Sequence, residues 1–325
     1  MSDVRMVTVT LNPAIDVVLE VEKFTVGQSQ RASRLGWYPG GKGVNVARNL
    51  AVLGTRCIAT GFVGESELAD FEGHVERVGA GRVVMQLLVV RGTTRTNLTI
   101  MDPVFDTETH LREEGFRVYP EDVRRISSKV AMLAREETIM MFGGSLPPGV
   151  SLGDFRSMLH VCQDQGCRIV VDTSESAFPA LHDEPIWMLK LNAAELAHFT
   201  QSPTGTEQEV IQAARAVSTL GGGVIQYVIA TRGADGAIMV GPDLPDNHVL
   251  VAKALVHPSR VINTVGCGDA LLAGLLHEWS RTGHWERALR WGVATATANA
   301  VSREPGTISL DDVREFVEAT LVEPA

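Results

Sequence analysis

The sequence predicts an α/β protein: a doubly wound, mostly parallel sheet flanked by helices, with a small β appendage. Three observations point there. From about Glu121 onward, short apolar runs alternate with helical ones in the order of successive βα units. The leading part differs, because several of its runs alternate polar with apolar residues, as half-exposed antiparallel strands do. Finally, 325 residues at 45% hydrophobic and 21% charged content can bury one large core, and no Pro- or Ser-rich linker or internal repeat divides the chain.

In chain order, "MVTVTLN" and "AIDVVLEV" read as strands. "VNVARNLAVLG" reads as a helix that Gly54 stops, and a second helix is expected around Leu68 to Val78. "MQLLVVRG" and "RTNLTIMD" are two further strands; joined near Arg91 to Thr94, they predict a hairpin projecting from the body. Helical "EDVRRISSKVAMLA" then precedes the strand "TIMMF", and "LGDFRSMLHVCQDQG" precedes "RIVVDTS". "IWMLKLN" leads into helical "AAELAHFT", and the helix "EQEVIQAARAVSTL" precedes "QYVIATRG". Helices are expected to dominate from Ala270 to Leu321.

Lys plus Arg number 29 against 39 Asp plus Glu, a formal charge of −10. That balance argues against nucleic acid or an acidic membrane as partner, so an anionic ligand needs a local basic pocket. The first residues lack a signal-type apolar stretch and no uncharged run approaches a membrane span, which predicts a cytoplasmic location. Cysteines at 57, 162, 167 and 267 are too few and scattered for a disulfide framework and fit a reducing compartment. His160, Cys162 and Cys167 lack the second ligand pair that zinc needs and read as packing residues.

Several motifs carry chemistry. In "NTVGCGDALLAG", Gly266 to Gly268 form the entry turn of an apolar helix, where free amide N–H groups favour an anion. Asp269 beside them is either a helix cap or a catalytic carboxylate. "PGGKGVNVAR" sets glycines and Lys42 before a helix, so amides and lysine can converge on phosphate or sugar hydroxyls, with Asn45 and Arg48 nearby. Gly43 stands where a P-loop needs Ser or Thr for magnesium, which counts against a P-loop ATPase. Arg95 and Asn97 share one strand face, and with Arg31 could grip a phosphate. Asp16 either accepts sugar hydroxyls or punctuates a turn. "GGSLPPG" puts Ser145 at a strand's C-terminal end, where ligands bind in open α/β sheets. Asn192 and Glu195, three apart, either order a hydrated magnesium ion or cap a helix. "TRGADGAIMV" either wraps a nucleotide or makes a plain hairpin turn.

Taken together in this order, "TLNPAID", "GGKGVNVAR", "TRTN", "GGSLPPG", "NAAE", "TRGADGA" and "NTVGCGD" resemble the ribokinase-like carbohydrate kinases, the phosphofructokinase B family. The match spans almost the whole chain. It looks most like the sugar-phosphate branch: 1-phosphofructokinases, tagatose-6-phosphate kinases and minor 6-phosphofructokinases. The resemblance implies one kinase domain over residues 1–325, with a β lid from parts of about 10–40 and 85–118, often used for dimerisation. It implies that Asp269 is the catalytic base and that Gly266, Cys267 and Gly268 form the anion hole. Asp16, Gly41, Lys42 and Asn45 would bind the sugar, and Lys42, Arg31, Arg95 and Ser145 would surround its phosphate. Lys190, Asn192 and Glu195 would serve ATP and Mg2+, the last two through water, while Thr231, Gly233, Gly236 and Asn299 would line the nucleotide pocket.

The implied activity is ATP-dependent phosphorylation of fructose 1-phosphate, fructose 6-phosphate or tagatose 6-phosphate. A kinase for an unphosphorylated sugar or nucleoside and a non-catalytic sensor are the rivals. Four departures stand out. Cys267 replaces an alanine, which predicts oxidation sensitivity; "KLN" replaces Lys-Pro-Asn; "TRG" replaces Ser-Leu-Gly; and Glu113 and Glu114 stand where relatives have Pro-Gly, which would shift sugar preference if they face the pocket.

Overall fold

The computed structural model describes residues 4–79, 81–245 and 248–325. Ten strands form the central sheet, in the spatial order Thr320–Pro324, Val249–Ala254, Ala237–Val240, Ile225–Thr231, Ile186–Asn192, Arg168–Thr173, Ile139–Gly144, Met6–Thr10, Cys57–Gly64 and Val83–Val90. The seven from Ile225–Thr231 to Val83–Val90 pair in parallel, and the other three add antiparallel at one edge. Strands covered on both faces need apolar residues at nearly every position, and "MVTVT" is buried throughout.

Two cores follow from that double covering. On one face, helices Pro120–Leu133, Leu152–Asp164, Ala193–Thr200 and Glu207–Val217 contribute Ile126, Phe155, Leu196 and Val210. On the other, helices Lys42–Leu53, Cys267–Thr282 and Trp285–Val301 contribute Leu50, Leu272 and Leu289. Right-handed crossovers between parallel strands force this arrangement. Helices Leu68–Gly79 and Leu310–Glu318 pack at the periphery in smaller clusters. Among the described residues no helix is long and apolar enough to cross a membrane.

A second sheet of four strands runs in the order Ser33–Gly40, Ala14–Glu20, Arg95–Asp102, Thr107–Arg112. Its inner pair, Ala14–Glu20 with Arg95–Asp102, is parallel and sets Asp16 beside Asn97. The expected hairpin at Arg91 to Thr94 does not form. Val83–Val90 joins the main sheet beside Cys57–Gly64, whereas Arg95–Asp102 belongs to the small sheet. Gly64 N–H donates to Thr94 Oγ1 (2.9 Å) and Thr94 N–H to Glu67 Oε2 (2.8 Å), so the link is tied to the body and the chain is sent across instead of back. Alternation reports that a strand has two unlike faces; it does not name the partner. The helical tail also ends sooner than expected, at Glu318, and Thr320–Pro324 pairs with Val249–Ala254 as an edge strand.

Candidate active site

Because the strands run in parallel, the residues that follow Thr10, Gly144, Thr173, Asn192 and Thr231 gather at one edge of the sheet. Helix Lys42–Leu53 comes down onto that edge. A Cβ at Gly43 would collide with Thr10 Oγ1, so the position lacking the P-loop hydroxyl is glycine for close packing. Gly41, at φ 124°, makes the turn into the helix.

Lys42 Nζ lies 2.5 Å from Asp172 Oδ1, and Lys190 Nζ lies 3.0 Å from Asp172 Oδ2. Asp172 is fully buried at the end of strand Arg168–Thr173. Burial alone would raise its pKa, yet the two lysines hold it below the ordinary value. Burial would likewise lower Lys42, but Asp172, then Asp269 and Glu195, outweigh this and raise it. Lys190 Nζ also occupies the space into which a Cβ at Gly268 would project, so this cation sits directly under the Gly266 to Gly268 turn.

Asp269 does not cap its helix, which has no side-chain cap. Its Oδ2 instead accepts from Asn45 Nδ2 at 2.8 Å. Its pKa is pushed up to about 6, first by burial and then by the Asp172 carboxylate, against the opposing pull of Lys42, Lys190 and Asn45. A carboxylate in this state is ionised at neutral pH and still a usable proton acceptor.

The turn is braced from behind. Gly266 takes φ 80°, and a Cβ there would lie 2.7 Å from Gly306 Cα. Buried Arg48 donates to the Gly306 carbonyl, and its Nη1 lies 2.6 Å from His74 Nε2. Asn299, expected to line the nucleotide pocket, is fully buried and donates to Val265 O (2.8 Å) and Cys267 Sγ (3.2 Å), a bracing position under the turn. Burial, with the Asp269 charge nearby, raises the Cys267 thiol. The raised value favours the neutral thiol, the less reactive form, and so weighs against oxidation sensitivity.

On the small-sheet side, Asp16 Oδ1 accepts from Asn97 Nδ2 at 2.9 Å. Arg95 Nε and Nη2 donate to Pro13 O (3.3 Å) and Asn12 O (3.1 Å), which aims the guanidinium. Asn12 Nδ2 donates to Ser145 Oγ at 3.1 Å and to Glu114 O at 3.3 Å. Arg95, Asn12, Ser145 and Glu114 border a cavity of about 550 Å³, whose lining does not include Asp269. Glu113 does not compete for it, since its Oε2 accepts from Thr96 N–H at 2.7 Å. Arg31 is not brought to the group: it is exposed on the connection between two lid-side strands and makes no hydrogen bond or ion pair among the described residues.

At Asn192 and Glu195 the capping alternative is realised. Asn192 Oδ1 accepts from Glu195 N–H and Glu195 Oε2 from Asn192 N–H, both at 2.8 Å. Glu195 Oε1 is left facing Lys42 Nζ at 4.0 Å. One partly exposed carboxylate oxygen beside open space fits a magnesium ion that keeps its waters, and does not fit an all-protein cage. Thr231 is the register partner of Asn192, and it pairs across a tight turn with Ala237. The hairpin therefore forms; Gly233 is exposed on it, and a Cβ at Gly236 would collide with Ala252 O. His160 pairs with Glu184 at 2.9 Å, away from the cysteines near it in sequence.

Two residues escaped the sequence reading, Asp172 and Asn12. Asn12 follows an apolar strand and Asp172 closes one, at the same sheet edge as Ser145 and Asn192, and that shared position is the available signal.

The chain matches the family model described as "pfkB family carbohydrate kinase" over residues 6–312. It is 30% identical to the 1-phosphofructokinase of Haemophilus influenzae, over 98% of this chain and 99% of that protein. It is 34% identical to the 1-phosphofructokinase of Rhodobacter capsulatus, over 84% and 83%. Among solved structures, phosphofructokinase-2 from Escherichia coli in complex with substrates and products superposes with a TM-score of 0.84 at 25% identity, over 97% of this chain and 99% of that one.

The ion triad gives a stability prediction. Asp172→Asn leaves two lysine ammonium groups facing each other without their shared anion, and should cost about 3 kcal/mol of unfolding free energy. Urea denaturation measures it; a midpoint unchanged from the parent would show that the triad contributes nothing to folding.

Proposed function

We propose that this chain, which belongs to the pfkB family of carbohydrate kinases, transfers the γ-phosphoryl group of ATP to a hydroxyl of a phosphorylated ketohexose. The observation that carries this reading is Asp269: buried, uncapped, hydrogen-bonded to Asn45, and flanked by the Gly266 to Gly268 turn and the Lys42–Asp172–Lys190 triad. The 1-phosphofructokinase relatives support the substrate class.

In this mechanism the acceptor hydroxyl gives its proton to Asp269 as its oxygen bonds to phosphorus. Asn45 holds the carboxylate in place. Charge on the moving phosphoryl group meets the amides of 266 to 268 at the helix start, with Lys190 beneath and Lys42 alongside. Magnesium, when bound with the ATP phosphates, would neutralise charge between them, and Glu195 Oε1 would hold one of its waters. Asp16 and Asn97 orient the sugar hydroxyls, while Arg95, Asn12 and Ser145 take the existing phosphate. The small sheet acts as a lid that excludes water and limits ATP hydrolysis. Thr231 to Gly236 borders the nucleotide. Leu35, Trp37 and Leu111 are 50%, 39% and 53% exposed on the lid, which supports a homodimer through that sheet. A cytoplasmic location fits these substrates.

Four outcomes check the reading. Asp269→Asn should lower kcat roughly a hundredfold or more with ATP affinity nearly unchanged; near-normal turnover would remove the base assignment. The base must be ionised and its pKa is about 6, so kcat/KM should be level above neutral pH and fall tenfold per unit below that value; the Asp269→Asn variant should lack this limb. Finally, a kinetic screen with ATP and magnesium should find activity on fructose 1-phosphate, fructose 6-phosphate or tagatose 6-phosphate well above that on free sugars and nucleosides. Arg95→Ala should raise KM for the phosphorylated sugar about tenfold to a hundredfold. Equal use of free and phosphorylated sugar would favour the unphosphorylated-sugar kinase, and no ADP release on any of them would favour a sensor.

A further inference from the structure

Helix Leu152–Asp164 ends with its Gln165 cap and Gly166 at φ 71°. Cys167 N–H bonds to Cys162 O at 3.0 Å, and Gly166 N–H to Gln163 O at 2.9 Å. This 6→1 and 5→2 pair of bonds is a Schellman motif, in which the first and last residues bring their side chains into contact. Ordinarily that contact is between two apolar groups. Here both residues are cysteines: Cys162 is fully buried in the core against which Cys167 packs, and Cys167 Sγ donates to Arg135 O at 3.2 Å.

The two thiols differ in what can reach them. Cys162 is fully buried, whereas Cys167 is half-buried and borders a groove of about 710 Å³ with Arg168, Trp187, Tyr227 and Trp285. This groove lies where strands Arg168–Thr173, Ile186–Asn192 and Ile225–Thr231 begin, at the end of the sheet opposite the active site.

We infer that Cys162 and Cys167 are an oxidisable pair that closes to a disulfide when a hydroperoxide enters this groove and meets Cys167. The Cys167 thiolate attacks the terminal peroxide oxygen, the O–O bond breaks, and hydroxide or alkoxide leaves, giving a sulfenic acid. Cys162 sulfur then displaces the hydroxyl group from that sulfur: the S–S bond forms, the S–O bond breaks, and the Cys162 proton departs in water. Two electrons pass from the pair to the peroxide.

The electrostatics agree with this order of attack. The neighbouring Cys162 thiol lowers the Cys167 pKa to about 7, with the backbone and charge of Arg135 and the charge of Arg5 added, against the effect of burial. The same neighbour and burial raise Cys162, which therefore waits as the thiol. Burial also pushes Cys57 up to about 12 and raises Cys267. Of the four cysteines, Cys167 alone combines access with thiolate character.

Peptide mapping of the full chain treated with hydrogen peroxide, before and after dithiothreitol, tests the inference. The expected result is the loss of two hydrogens, one cross-linked peptide joining Cys162 to Cys167, recovery of both thiols on reduction, and Cys57 and Cys267 unmodified. Cys162→Ala should stop at a sulfenic acid on Cys167 that dimedone traps, and Cys167→Ser should leave Cys162 reduced. Oxidation of Cys57 or Cys267 with 162 and 167 still reduced would overturn it, as would a sulfinic acid at Cys167 beside an unreacted Cys162. The map of the parent chain decides alone if either variant misfolds.

Discussion

Asp172 is the point on which the site turns. Two lysines from different elements, Lys42 on a helix and Lys190 on a strand, reach the same buried carboxylate. Neither cation could stay there without it, because like charges so near each other and so poorly hydrated would repel. The shared anion fixes where helix Lys42–Leu53 meets the sheet and sets Lys190 beneath the Gly266 to Gly268 turn. It also acts electrically on a group it does not touch. After burial, the Asp172 charge is the largest influence raising Asp269 toward neutrality. One residue therefore positions the cations and tunes the Asp269 carboxyl.

Topology brings these groups together at low cost in local complexity. Asn12, Ser145, Asp172 and Asn192 come from four separate strands and each lies at or just past a strand end. Parallel strands with their ends at one edge turn residues far apart in sequence into neighbours. Asn45 and Asp269 are 224 positions apart and hydrogen-bonded. The small sheet adds the remaining side of the site through register: Asp16 faces Asn97 because Ala14–Glu20 pairs in parallel with Arg95–Asp102.

That topology explains how much could be read from sequence. The βα alternation after Glu121 identifies four of the seven parallel strands, because period and length are local properties; Met6–Thr10, Cys57–Gly64 and Val83–Val90 precede it. Partnership is not local, which is why Val83–Val90 and Arg95–Asp102 read as a hairpin although each pairs elsewhere. The same limit applies at the site. Gly-Gly-Lys and Gly-Cys-Gly-Asp announce themselves as loops before helices, whereas Asp172 is a lone carboxylate closing an apolar run, and only its two cationic neighbours give it meaning. Asn192 and Glu195 illustrate the converse: their spacing is visible in the sequence, but it suits two purposes, and the cap claims two of their four polar side-chain atoms. Arg31 is a candidate by residue type and by the family resemblance, and the fold leaves it exposed and outside the cluster.

Charge balance shows what a phosphate-handling site on this acidic chain requires. Lys42, Lys190, Arg48 and Arg95 face Asp16, Asp172, Asp269 and Glu195, four cations against four carboxylates, so the site is near neutral. Its affinity for anions cannot come from excess positive charge. It must come from direction: amides at the start of helix Cys267–Thr282, an arginine aimed by two backbone carbonyls, and a lysine held under the turn. Such groups stabilise charge that appears in a defined place far better than charge that is merely nearby. Glu195 Oε1, which the cap leaves unused, faces Lys42 Nζ at 4.0 Å and so shares with Asp172 the balancing of that lysine.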